Sequence, residues 1–145
     1  MPNRQVREVI RNQDCVTVPA DTKVRRVAEL MKSHHTSAVL VAHTRTKTFA
    51  GICTERDIVF GVVAAARDPE AVTVKEIMTA EPQTVSPDSP FGHALHLMYE
   101  GGYHHIPVVD DNRPVGILSA KDALGLEAVQ FELELVRREE ITVIL

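Results

Sequence analysis

Two short segments of this chain place a hydroxyl, a basic side chain and a carboxylate at one spacing. Thr54-Glu55-Arg56-Asp57 follows Gly51-Ile52-Cys53, and Ser119-Ala120-Lys121-Asp122 follows Gly116-Ile117-Leu118. Each reads as a strand running into the first turn of a helix. A helix start offers unpaired backbone N–H groups and the positive end of its dipole, so it attracts phosphate. Thr54 or Ser119 adds a hydroxyl donor, and Arg56 or Lys121 adds charge. Asp57 or Asp122, one turn along, suits charge-assisted hydrogen bonds to a pair of ribose hydroxyls. The same residues also fit a capping box, in which the hydroxyl caps the third helical N–H and an acid there reaches back. A duplicated fold duplicates its caps, so recurrence alone does not decide between ligand and cap.

The elements that must hold these motifs repeat with them. Thr17, Val18, Asp21, Met31 and Val41 match Thr84, Val85, Asp88, Met98 and Val108 at an offset of 67 residues. Val6 to Ile10 matches Val74 to Met78 at 68, and Gly51 matches Gly116 at 65, so the loop from Thr44 to Thr48 is two residues longer than its partner around Asp111 to Arg113. Turn residues precede Val24, Val27, Ala28, Leu30 and Met31 in one copy, and Phe91, Ala94, Leu95 and Met98 in the other. Both are helical stripes. Gly101-Gly102 closes the second. Ala38 to Ala42 and Ile106 to Val109 read as short buried strands, with Pro107 marking an edge or an irregular strand start. Each unit is then a short lead-in strand, helix, strand, strand, helix. The units divide as 6–66 and 71–126 around a linker at 67–70, followed by a C-terminal helix and apolar tail at 127–145. Along the C-terminal stretch Leu124, Ala128, Phe131 and Leu135 form an apolar stripe, Glu134 and Arg138 are spaced to pair, and Ile141 to Leu145 is an apolar, β-prone end.

Composition narrows the function. The hydrophobic fraction of 44% and charged fraction of 25% suit one compact body. No run approaches the roughly 18 apolar residues of a membrane span, and no secretory signal opens the chain, so a cytoplasmic protein is expected. A formal charge of −4 offers no electrostatic case for nucleic acid. Cys15 and Cys53 fall at non-equivalent points of the repeats and read as small buried hydrophobes. His93 and His96 could share a helix face, but no third ligand stands at a metal-site spacing, and no nucleophile elbow, His-Glu-x-x-His or Walker loop is present. Neither an enzyme nor a required cofactor is expected.

Taken in order, the Thr-Val lead-in, the Asp before a helix, the Pro-Val-Val-Asp strand and the Gly-x-x-Thr/Ser-x-x-Asp turn resemble a cystathionine-β-synthase (CBS) domain pair, from about Val6 to Leu124. The resemblance implies an α/β (α+β) fold in which tandem repeats pack as a pseudo-twofold pair through their small sheets. It implies a stand-alone regulatory module that binds an adenosine-containing nucleotide, such as AMP, ADP, ATP, S-adenosylmethionine or an NAD-type ligand, and that forms a homodimer. It assigns Asp57 and Asp122 to ribose and Thr54 and Ser119 to phosphate. It sets the base near Thr17, Ser37 and Ala38 in one site and near Thr84, His104 and His105, with Ile106 and Pro107, in the other. His104 to Asp110 follows the family pattern closely. The first copy departs from it, with Leu40 at the proline position and His43 at the aspartate position. The second site is therefore expected to be the more complete. The alternative is an oligomerisation or protein-interaction module with degenerate sites.

Overall fold

The computed structural model describes residues 4–123 and 125–144. The first repeat runs α1 (Val6–Ile10), β1 (Thr17–Pro19), α2 (Val24–His34), β2 (Ala38–Ala42), β3 (Phe49–Thr54) and α3 (Glu55–Ile58), which continues into a π-helical turn, Val59–Val63. The second runs α4 (Val74–Ile77), β4 (Thr79–Ala80), α5 (Phe91–Gly101), β5 (His105–Asp110), β6 (Arg113–Ser119), a 3-10 turn at Ala120–Asp122, and α6 (Gly125–Ile144).

The apolar stripes read from the sequence are the buried faces of the two long internal helices. Helix α2 buries Val24, Val27 and Met31, and α5 buries Phe91, Ala94, Leu95 and Met98. Both stop at equivalent left-handed residues, His35 (φ 51°) and Gly102 (φ 70°). Glycine takes that conformation without the Cβ strain a histidine meets.

Strands β1 to β4 form one sheet in that order, parallel between β1 and β2 and antiparallel beyond. The second sheet is the β5–β6 hairpin, with Val85 making a single parallel bridge to Val108 where the first repeat pairs Val18 with Val41. Pro107 lies inside β5 rather than at its start, and its carbonyl accepts from Val85 N at 3.0 Å. Its missing N–H therefore faces the thinly paired side of the strand. Ala38, Leu40, Ile52 and Ile117 join the two sheets in a common apolar cluster.

Each repeat is completed by the opening segment of the other. Val6 of α1 is buried among Val85, Phe91, Leu95 and Leu118 of the second repeat, while Val74 of α4 is buried among Val18, Val27, Val39 and Cys53 of the first. Equivalent hydrogen bonds fix both crossings. Val6 N and Arg7 N donate to Ser89 O and Pro87 O, and Val74 N and Lys75 N donate to Thr22 O and Ala20 O.

Two expectations are corrected. The second motif does not run directly into a helix: its 3-10 turn ends at Ala123, which is extended (ψ 131°), and α6 starts afresh at Gly125. The end expected to be β-prone continues α6, whose backbone is helical through Ile144. β-branched residues are only weakly disfavoured in a helix that is already propagating. Leu124 and Leu145 lie outside the described residues. Helix α6 docks on α5 through the edge-on contact of Phe131 with Tyr99, a Glu134–His96 contact, and an Arg138–Glu100 ion pair at 3.0 Å.

Candidate functional site

Both motifs form the capping box that their sequence permits. Thr54 N donates to Asp57 Oδ2 at 2.9 Å, and Asp57 N donates to Thr54 Oγ1 at 3.4 Å. Ser119 N likewise donates to Asp122 Oδ2 at 2.9 Å. The cap occupies one carboxylate oxygen only. Asp57 Oδ1 makes no hydrogen bond among the described residues. The helix start is less open than the sequence suggests, because Glu55 N donates to Ser37 O at 3.0 Å.

The surroundings of the two motifs then diverge. Thr54, Arg56 and Asp57 line a cavity of about 590 Å³ together with Ser37, Ile52, Thr79, Pro82, Gln83, Tyr103, His104 and His105. The walls thus come from both repeats. Ser37 Oγ and His105 Nε2 lie 2.9 Å apart across the pair. Tyr103 Oη donates to Gln83 Oε1, which ties the aromatic wall to the segment after β4. The guanidinium of Arg56 stands over the exposed ring of Phe60 at 5.4 Å.

The second motif is held by its neighbours instead. Arg4 Nη2 donates to the carbonyl of Asp122 at 3.0 Å and pairs with Glu127 at 2.6 Å. The amide of Gln13 grips the same strand, donating to Ile117 O and accepting from Ile117 N. In the first repeat that edge, at Ile52, is taken by backbone pairing with Thr79. One side-chain amide thus does for the second repeat what a strand does for the first.

Six of the residues singled out in the sequence, Ser37, Thr54, Arg56, Asp57, His104 and His105, therefore meet in one cavity. Ser37 of one repeat and His104 and His105 of the other, expected at separate sites, line the same cavity. Ser119, Lys121, Asp122, Thr17 and Thr84 do not line it. Ala38, Ile106 and Pro107 are core side chains. Tyr103, Pro82 and Gln83 were missed. Tyr103 follows the glycines that end α5, and Pro82-Gln83 precedes the Thr84-Val85 lead-in, so their positions beside known landmarks were the only signal.

Burial pushes the Cys15 thiol up to about 11 and the Cys53 thiol up to about 12, so neither is a nucleophile here. Burial also lowers the pKa of His105, and His104 and Lys121 lower it further, against the opposing influence of Asp122 and Glu55. His105 is thus within electrostatic reach of both motifs. Among the described residues no group of three or more His, Cys, Asp or Glu could hold a metal ion, and no helix is long and apolar enough to cross a membrane.

The architecture recurs in known proteins. The chain is 33% identical over 88% of its length to an uncharacterized protein of Methanopyrus kandleri, of which it spans 64%. Among solved structures, a putative signal-transduction protein with CBS domains from Burkholderia ambifaria superposes with a TM-score of 0.73 at 31% identity, covering 82% of this chain and 90% of that one. A hexameric CBS-CP12 protein from bloom-forming cyanobacteria superposes with a TM-score of 0.75 at 26% identity, covering 97% and 86%. The CBS domain model matches residues 6–64 and 74–128, one match on each repeat, and the chain belongs to the CBS domain family.

Proposed function

We propose that this chain is a non-catalytic regulatory module that binds an adenosine-containing nucleotide in the cavity between its repeats. The observation that carries this is the convergence of the Asp57 carboxylate, Thr54, Arg56 and two histidines of the other repeat on one volume of about 590 Å³, inside the roughly 300–1,000 Å³ of small-molecule sites. The free Asp57 Oδ1 is the ribose acceptor, the flat faces of Tyr103 and Pro82 flank the base, and Arg56 with His104 meets phosphate. Two free cysteines fit a reducing, cytoplasmic setting. A thermal-shift series with AMP, ADP, ATP, S-adenosylmethionine and NAD tests the reading. A ligand at a hundredfold excess over its dissociation constant stabilises by about 2.7 kcal/mol. Asp57→Ala is expected to lose that response and Asp122→Ala to keep it. No response to any of the five, or loss in Asp122→Ala with retention in Asp57→Ala, overturns the assignment.

One observation favours a second role as an oligomerisation module. Val59, Phe60 and Val63 are 48%, 63% and 69% exposed on the π-helical turn that follows α3. Contiguous apolar exposure of this kind marks a protein contact, and a homodimer is the simplest assembly that covers it. Light scattering is expected to give a dimer that Phe60→Glu converts to monomer; a monomeric parent counts against it.

A further inference from the structure

The β2–β3 loop is the place where the first repeat outgrows the second, and it walls a separate cavity of about 580 Å³. The loop contributes His43, Arg45 and Thr46 to the lining, while the α4 cap and first turn contribute Thr73 and Lys75. Two permanent cations converge there against a single carboxylate, Asp21. Neither Arg45 nor Lys75 makes an ion pair or side-chain hydrogen bond among the described residues.

The equivalent place in the second repeat has the opposite character. The repeat offsets put Arg7 at the position of Lys75, Asp88 at that of Asp21, and Asp110 at that of His43. Arg7 is paired there with Asp88 at 2.5 Å, and Asp110 adds negative charge beside it. The cation that crosses from α1 is thus neutralised there. In the first repeat, the loop adds Arg45 to a cavity that already holds Lys75, and neither is ion-paired among the described residues.

We propose that this cavity binds a small phosphate-bearing anion, held by the Arg45 fork and the Lys75 ammonium, with the Thr44 hydroxyl as a further donor. The site is separate from the cavity at Asp57, and the proposal does not depend on what binds there. Its specificity is for the phosphate group, and monoester and diphosphate ligands are the two sources of that group.

The test is a ¹⁵N NMR titration of the full chain at low ionic strength, because exposed cations are screened by salt. Sodium pyrophosphate and glycerol 3-phosphate are run in parallel against ionic-strength-matched sodium chloride. Saturable shifts of the amides of Thr44, Arg45, Thr46 and Lys75 are expected with at least one phosphate probe, and the tighter probe identifies the source. Arg45→Ala and Lys75→Ala each weaken binding about tenfold, as loss of a charge-assisted contact should. Asp21→Asn strengthens it, and Asp57→Ala leaves it unchanged. Shifts that fail to saturate with either probe, affinity unaltered in both cation variants, or shifts abolished by Asp57→Ala overturn the proposal.

Discussion

Where each repeat receives the opening segment of the other, one geometry is filled with two chemistries. In the first repeat Val24, Val62 and Val72 meet as a buried apolar cluster. Their counterparts by the repeat offsets are Phe91, Glu127 and Arg4, which form an ion pair whose guanidinium lies over the Phe91 ring at 5.3 Å. The backbone contact is the same in both, Val24 N to Val72 O at 2.9 Å and Phe91 N to Arg4 O at 2.7 Å. The consequence reaches the motifs. A valine at position 72 has nothing to offer Asp57, whereas Arg4 spends its second nitrogen on the carbonyl of Asp122. The ionic crossing thus holds the backbone of the second motif, while the first motif, beside an apolar crossing, lines the cavity between the repeats.

The sharpest way to break this contrast is to make the second crossing apolar. Glu127→Val alone strands a largely buried guanidinium and should cost about 3 kcal/mol in urea unfolding, whereas Arg4→Val with Glu127→Val together should come within about 1 kcal/mol of the parent. If the double variant is as unstable as the single, the two chemistries are not interchangeable.

The next effect separates the two glycines that precede the motifs. A Cβ on Gly51 presses on the Thr79 carbonyl oxygen, a backbone atom of the paired strand β4. On Gly116 it meets Ile10 Cγ2 at 2.9 Å and Gln13 Oε1 at 3.1 Å, side-chain atoms that can give further than a paired backbone, Gln13 by loosening its hold on Ile117. Gly51→Ala should therefore cost about 2 kcal/mol and Gly116→Ala less than half of that.

The smallest effect is a pH dependence confined to one side. His105 is half-buried, and its counterpart Ala38 does not titrate. Burial lowers the folded-state pKa of His105 below its ordinary value. Below pH about 6.5 the unfolded chain takes up a proton that the folded chain resists. The stability is thus fully present above that pH and falls as the pH drops toward the depressed value. His105→Ala should flatten unfolding free energy between pH 7 and 5; an unchanged slope would place the titration elsewhere.

Much of this arrangement was legible in residue types. The stripe from Val24 to Met31 and its partner from Phe91 to Met98 gave both long internal helices, because burial of one face sets their period. The duplicated Gly-to-Asp segments gave both caps. The exchange of α1 and α4 left no trace, since it is fixed by backbone donors such as Val6 N and Val74 N that every non-proline residue carries. For the same reason the histidines of one repeat could not be assigned from sequence to the motif of the other. Nor could Gln13 be recognised as the substitute for a strand, because an amide mimicking a peptide group has no spacing signature. The helical end of α6 was misread because β-branched side chains predict strands only where a sheet partner is available.

The exchanged opening helices also set the order in which the chain can fold. Arg4 and Val6 must wait for residues 87–91 before their hydrogen bonds can form, and the first repeat must wait for residues 72–75. During synthesis the leading repeat is therefore an unfinished object until its successor has begun to emerge. The bonds that close both units join residues far apart in sequence, Val6 with Ser89 and Thr22 with Val74, which slows the search for them. Duplication produced two similar sequences, but the exchange makes them a single cooperative folding event.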